Sequence, residues 1–162
     1  MKLSSLSDRD LRLEIESLLT DYAYVLDEGE IEKWPAFFTE QGLYKIVSRE
    51  NFEKKLPLAL WLSESRAMCE DRVTALRQAS VYSPRVLRHL VTNVKILSHD
   101  GERVRAQSNF AILQTLLDGE THLFISGKYL DTIVSEGGKL VFEEKICVYD
   151  TLRIPNSVVW PV

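Results

Sequence analysis

The chain has 162 residues, of which 45% are hydrophobic and 27% charged, and its formal net charge is −4. This composition predicts a single globular domain over residues 1–162, long enough to bury a sizeable core. The acidic balance argues against non-specific binding to nucleic acid or to an anionic membrane, because both require basic patches. No stretch of about 18 apolar residues occurs, so no transmembrane helix is predicted.

The N-terminal residues are charged and lack the apolar core of a signal peptide, so we expect no secretory signal. Cys69 and Cys147 lie far apart in the sequence and belong to no ligand motif. In the absence of an export signal, both are predicted to be reduced thiols of a cytoplasmic protein.

The first half of the chain carries helix patterns. Apolar residues recur at three- and four-residue spacing between Asp8 and Leu26, which predicts one amphipathic helix, and Gly29 follows where a helix often ends. A short second helix over Ile31–Phe38 and a short strand over Leu43–Val47 are predicted next. The charge-rich segment Glu64–Arg77 predicts a third helix whose charged side chains mostly lie in solvent.

The second half of the chain has the period-two pattern of strands. Four long strands are predicted over Arg85–Ser98, Arg103–Leu117, His122–Val134 and Lys139–Tyr149. Asp-Gly and Gly-Gly turns between them are strong hairpin signals and predict an antiparallel meander. This order of elements predicts an α+β fold of the cystatin-like (NTF2-like) type, a cone in which N-terminal helices pack on a long twisted antiparallel sheet. The aromatic residues expected to fill the cone are Trp34, Phe37, Phe38, Phe110 and Phe124.

Four groups of residues, in this order along the chain, carry a family resemblance. They are Glu32–Thr39 (EKWPAFFT), Cys69–Arg77 (CEDRVTALR), Tyr82–Asn93 (YSPRVLRHLVTN), and Gly127–Asp131 together with Gly138–Leu140 and Glu143–Lys145. Together they resemble the small (β) subunit of Rieske-type aromatic-ring-hydroxylating dioxygenases. The similarity is to the branch that acts on aromatic carboxylates such as terephthalate, salicylate or anthranilate.

The resemblance implies a structural, non-catalytic subunit of an oxygenase. It implies a partner, the large (α) subunit, which carries a Rieske [2Fe–2S] centre and a mononuclear Fe(II), with electrons from NAD(P)H arriving through a separate reductase. It also implies a β trimer within an α3β3 assembly. The candidate interface residues are Asp71, Arg72, Arg77, Arg88, His89, Asn93 and Trp160.

The chain itself is expected to hold no cofactor. A Rieske centre needs two Cys and two His ligands, and the three histidines, His89, His99 and His122, are scattered and form no C-x-H pattern with the cysteines. His89 alternates with Asn93 on one predicted strand face, so the two side chains are candidates for a buried hydrogen-bonded pair or a subunit contact.

Two other functions remain open on the sequence. One is a free-standing isomerase, dehydratase or cyclase in which His89 acts as a base together with Asp21 or Asp27. The other is a module that binds a small ligand or a protein.

The C-terminal residues 151–162 form an apolar segment interrupted by proline, which cannot be a helix. Exposed apolar segments with a Trp usually mark interfaces, so we predict that this segment docks along a neighbouring subunit. The alternative is that it folds back over its own sheet.

Overall fold

A computed structural model describes residues 3–80, 82–117, 119–152, 154 and 157–162. Two 3₁₀ turns and three α-helices accompany six strands in this part of the chain. The turns are Leu3–Ser5 and Ile31–Phe37, and the helices are α1 (Asp8–Asp27), α2 (Arg49–Glu53) and α3 (Arg66–Gln78). The strands are β1 (Phe38–Ser48), β2 (Trp61–Ser63), β3 (Arg85–His99), β4 (Arg103–Leu116), β5 (Thr121–Glu136) and β6 (Lys139–Tyr149).

Helix α1 forms where the apolar periodicity predicts it. The side-chain oxygen of Ser7 accepts a hydrogen bond from the Asp10 N–H at 3.2 Å, which caps the helix, and Gly29 beyond its end has a φ of +74°. The apolar stripe is fully buried at Leu11 and Ile15 against the sheet. Each such side chain contributes about 1.5–3 kcal/mol through burial. None of the described helices is long and apolar enough to cross a membrane.

The predicted four-stranded meander is confirmed. Strands β3 to β6 pair antiparallel in succession, and the sheet order is β2-β1-β6-β5-β4-β3. Asp118, in the predicted turn before β5, lies outside the described residues. The α+β, NTF2-like class is confirmed, with helices packed on a twisted six-stranded sheet whose inner face encloses the core.

The meander is extended on one side by β1, which runs parallel to β6. Leu43 pairs with Glu144 and Ser48 with Tyr149, so the sheet is mixed where the sequence predicts an antiparallel one. The strand is also longer than predicted: Phe38, placed in the second helix from the sequence, belongs to β1, where it pairs with Phe142. Parallel pairing of distant segments leaves no hairpin turn in the sequence, and this explains why the pattern did not reveal it.

Aromatic side chains fill one end of the cone. Trp34 is fully buried, and its ring lies edge-on to Phe38 and Tyr44, with centroids 5.4 and 5.0 Å away. Phe110 stacks on Tyr129 with a centroid distance of 4.4 Å. Phe37 is partly buried and packs against the core, and Phe124 is buried, so all five predicted aromatic residues contribute to the core.

Candidate functional site

The last residue of α1 meets the middle of β3 in a His–Asp pair. His89 Nδ1 lies 2.6 Å from Asp27 Oδ1, and the His89 backbone N–H donates to both carboxylate oxygens at 3.0 and 3.1 Å. The His89 side chain is fully buried and that of Asp27 is 12% exposed. Within the described structure, His89 Nε2 is buried without a hydrogen-bond partner. The pair borders a cleft of about 250 Å³ between α1 and β3.

Asp27 is the partner of His89; two other predicted partners lie elsewhere. Asn93 is exposed and has a positive φ of +56°, because a bulge after Thr92 interrupts the strand alternation. The predicted contact between His89 and Asn93 is therefore wrong. Asp21 is exposed and borders a separate groove on the other side of α1, together with Glu14 and Lys33.

A second polar pair lies deeper in the cone. Lys145 on β6 and Asp131 on β5 face each other, and Lys145 Nζ lies 3.2 Å from Asp131 Oδ1, with 0% and 1% of the two side chains exposed. The Lys145 ammonium also lies 3.6 Å from the Tyr129 ring centroid. Burial raises the pKa of Asp131, and the neighbouring Lys145 opposes that rise. The sequence pattern does not reveal this pair, although both residues occupy inward positions of the strand alternation.

The C-terminal segment, residues 157–162, packs back into the same cone. The Val162 carbonyl oxygen accepts hydrogen bonds from Tyr22 Oη at 2.9 Å and Tyr44 Oη at 3.2 Å, and the Val162 N–H donates to Tyr44 Oη at 2.8 Å. The Cys147 thiol lies 3.5 Å from the same carbonyl. Residues 157–162 therefore fold back over their own sheet, which is the alternative that the sequence left open. Arg153, Pro155 and Asn156 of the predicted segment lie outside the described residues.

Burial controls the ionisation of the groups around Val162. It raises the pKa of Tyr22 and Tyr44 well above the ordinary tyrosine range, and it raises the pKa of Cys147 to about 12. Burial likewise raises the pKa of Cys69 to about 11. Both cysteines are free, buried thiols, and their raised pKa values predict poor nucleophiles at neutral pH.

Arg77, a predicted interface residue on α3, has several specific contacts. Arg77 forms a bidentate ion pair with Glu32, donates to the Gly29 carbonyl, and lies 5.7 Å from the Trp160 ring centroid. Arg77 therefore holds together three parts of the fold: α3, the turn that follows α1, and the C-terminal segment.

Three further interface candidates lie at the surface. The Arg72 guanidinium stacks over the Trp61 ring at 5.3 Å. Arg88 donates to the Asp27 carbonyl at 3.1 Å, at the end of α1. Asp71 is exposed, and within the described structure its carboxylate neither forms an ion pair nor accepts a hydrogen bond.

Comparison with known proteins identifies the family. Residues 22–156 match the family described as ring hydroxylating beta subunit. The chain belongs to this family. As a β subunit it works as part of an oxygenase complex, as its relatives do, and the resemblance predicted from the sequence is confirmed.

Two relatives of this β subunit belong to dioxygenases that are named for anthranilate and for terephthalate. The anthranilate 1,2-dioxygenase small subunit of Burkholderia cepacia is 33% identical over 149 residues, which are 92% of each chain. A terephthalate 1,2-dioxygenase terminal oxygenase β subunit of Comamonas is 33% identical over 150 residues, which are 93% of this chain and 97% of that one. A solved β subunit of an aromatic-ring-hydroxylating dioxygenase from Novosphingobium aromaticivorans is 34% identical, covering 95% of this chain and 98% of that one, with a TM-score of 0.87.

The described residues of this β subunit do not provide the ligand set of a Rieske centre or of a mononuclear iron site. Each of its three histidines lies beside a different carboxylate: His89 beside Asp27, His99 beside Asp8, and His122 beside Glu120. Among the described residues, no three His, Cys, Asp or Glu side chains are grouped so that they can hold a metal ion. Such a centre needs several converging ligands, and the three histidines of the described structure lie beside three different carboxylates instead.

Proposed function

We propose that this β subunit is the structural base of an oxygenase that adds oxygen to an aromatic carboxylate, and that it performs no chemistry of its own. The carboxylate class rests on the relatives named for anthranilate and terephthalate. The non-catalytic role rests on one observation above all: Val162 occupies the interior of the cone, where an enzyme of this shape would need an open cavity. The two free, buried thiols suit a cytoplasmic location.

The proposal assigns the redox centres to the partner. A large α subunit would carry the Rieske [2Fe–2S] centre and the mononuclear iron, and a separate reductase would deliver electrons from NAD(P)H. Three β subunits would form the base of an α3β3 assembly. The exposed side chains of Asp71 and Arg72, with Arg88 and Trp160, are the proposed subunit contacts. His89 is buried, so its proposed part is to fix the position of β3 through Asp27.

Co-expression with the large subunit of the same host tests this function. We expect the two chains to co-purify as a heterohexamer that contains iron and is red-brown, with the iron following the large subunit when the complex is dissociated. Mass measurement and an iron assay on the same preparation give both answers. A β subunit that remains a monomer or dimer without iron, while the large subunit is present and folded, would contradict the proposal.

A second candidate function is supported by the Asp27–His89 pair. A carboxylate that fixes Nδ1 and leaves Nε2 unpartnered is the arrangement of a general base, the role that an isomerase or dehydratase of this fold would need. Burial of Nε2 opposes this function, because a substrate must reach that atom. Purified β subunit and its His89→Gln variant should be compared with ketone and hydroxylated aromatic substrates. Turnover by the wild type that is lost in His89→Gln would favour the enzyme.

A further inference from the structure

A groove lined by aromatic and cationic side chains runs between α3 and the C-terminal segment. Two adjoining depressions, of about 570 and 230 Å³, share Leu76 and Ser80. Arg72 lies beside one of them and Arg85 beside the other, and the Trp160 ring borders the larger one. We call this feature the Arg72–Arg85 groove.

The two arginines of the groove are held in place by aromatic rings. The Arg72 guanidinium lies 5.3 Å from the Trp61 centroid, and the Arg85 guanidinium lies 5.6 Å from that of Tyr82. Stacking of this kind orients the planar guanidinium and leaves its edge N–H groups available to a second partner.

Neither arginine has a carboxylate partner among the described residues. Within the described part of the chain, Arg85 donates to the backbone carbonyls of Ser83 and Ser157, at 3.1 and 3.4 Å. Asp71 precedes Arg72 on α3, but the side chains of consecutive helix residues do not face each other. Arg77, which also lines the groove, differs because Glu32 neutralises it.

The two oriented arginines and the aromatic rings beside them indicate the chemistry of the partner that the groove can bind. Oriented guanidiniums pair most strongly with carboxylates, often through two parallel hydrogen bonds. Arg and aromatic side chains are also the residues that dominate binding energy at protein interfaces. The whole chain has a net charge of −4, yet Arg72 and Arg85 have no carboxylate partner among the described residues, so both are available to a carboxylate of another chain.

We propose that the Arg72–Arg85 groove receives an acidic segment of the large subunit, with carboxylates on Arg72 and Arg85 and an apolar side chain against Trp160. This inference rests on the proposed function, since it names the chemistry of one contact in the αβ complex. It adds Arg85 and Tyr82 to the interface residues predicted from the sequence.

Charge-removing variants test the groove in the assembled complex. Affinity-tagged large subunit is co-expressed with wild type, Arg72→Gln, Arg85→Gln, the double variant, and the control Arg9→Gln, which removes an exposed arginine in the first turn of α1. The dissociation constant of each complex is then measured over a range of salt concentrations. We expect about tenfold weaker binding for each groove variant and a weaker salt dependence for the double variant, with Arg9→Gln unchanged.

The outcomes separate the inference from the proposed function. Wild-type β subunit that fails to bind the large subunit refutes the proposed function. Wild-type binding together with an equally tight double variant refutes the groove alone. Urea unfolding of every variant provides the folding check, and a groove variant that binds weakly while unfolding like wild type supports the contact.

Zero-length cross-linking identifies the partner residue. In Arg85→Lys, carbodiimide can join the new ammonium to a carboxylate in direct contact, and mass spectrometry reads the joined residue. A cross-link from position 85 to an Asp or Glu of the large subunit supports the proposal. A cross-link from position 85 to a second copy of this chain, or no cross-link from that position in an intact complex, overturns it.

Discussion

Lys145 Nζ lies 3.2 Å from Asp131 Oδ1, and both side chains are removed from solvent among the rings of Tyr129, Tyr22 and Phe142. Removing two charges from water costs several kcal/mol per ion, and mutual attraction offsets this cost only while both partners are present. The pair is therefore expected to be a strict requirement of the fold rather than a net source of stability.

Substitution of one partner of this pair should be severe. Lys145→Met leaves the Asp131 carboxylate buried without a counter-charge, and we expect the free energy of unfolding to fall by about 3–5 kcal/mol in urea titrations. Lys139→Met, at an exposed position of the same strand, should remain within about 0.5 kcal/mol of wild type. The double variant Lys145→Met/Asp131→Asn should regain part of the loss. A cost below about 1 kcal/mol for Lys145→Met would show that water reaches the site.

The contact between α1 and β3 can be tested through Asp27. Asp27→Ala removes the acceptor for the backbone N–H and Nδ1 of His89, and leaving these groups buried should cost about 2–3 kcal/mol of unfolding free energy. Hydrogen exchange at the His89 amide should accelerate in parallel. Asp21→Ala is the matched control, because this exposed carboxylate on the same helix should change stability little. Equal effects of the two variants would contradict the assignment.

The seating of the C-terminal segment depends on Tyr44. Tyr44→Phe deletes the hydroxyl that both accepts from the Val162 N–H and donates to its carbonyl, so we expect a loss of about 1–3 kcal/mol and faster proteolysis of residues 157–162. Tyr24→Phe removes a hydroxyl from a tyrosine that is 62% exposed and should have no measurable effect. Unchanged proteolysis in Tyr44→Phe would contradict this role of Tyr44 and would mean that the other contacts of the segment are sufficient to hold it.

Local sequence patterns predicted most of the fold. The apolar stripe of α1 and the turns between β3 and β6 act over a few residues, so the sequence shows them directly. The parallel pairing of Leu43 with Glu144 depends on segments far apart in the chain and leaves no local signature. The site could likewise be predicted only in part. His89 and Asp27 were both candidates from the sequence. The bulge at Asn93, which changes the direction of the strand, is not marked in the sequence by a residue such as glycine.

The ion pair between Arg103 and Glu143 should give a pH-dependent contribution to stability. Arg103 donates to both carboxylate oxygens of Glu143 at 2.7 and 2.9 Å and holds the pKa of that carboxyl below its ordinary value. A lowered folded-state pKa stabilises the protein above the unfolded-state pKa of about 4.3. That contribution is lost as the pH falls through the folded-state pKa.

Comparison of wild type with Glu143→Gln isolates this contribution. The difference in unfolding free energy should be constant between pH 6 and 7 and should vanish in more acidic solution. Because 52% of the Arg103 side chain and 36% of the Glu143 side chain are exposed, the difference should stay below about 1 kcal/mol and shrink in high salt. A difference in unfolding free energy that grows as the pH falls would contradict this prediction, because it would mean that folding raises the pKa of Glu143.

The parallel pairing of β1 with β6 also determines when β1 can complete its hydrogen bonds during synthesis of the chain. Leu43 leaves the ribosome about a hundred residues before its neighbour Glu144. The edge of β1 that pairs with β6 therefore stays without its partner strand until β6 has been synthesised. The meander, whose hairpins close locally, can form while β1 is still unmatched. Nascent chains stalled between β5 and β6 should therefore aggregate readily, and slow translation of that interval should lower the soluble yield.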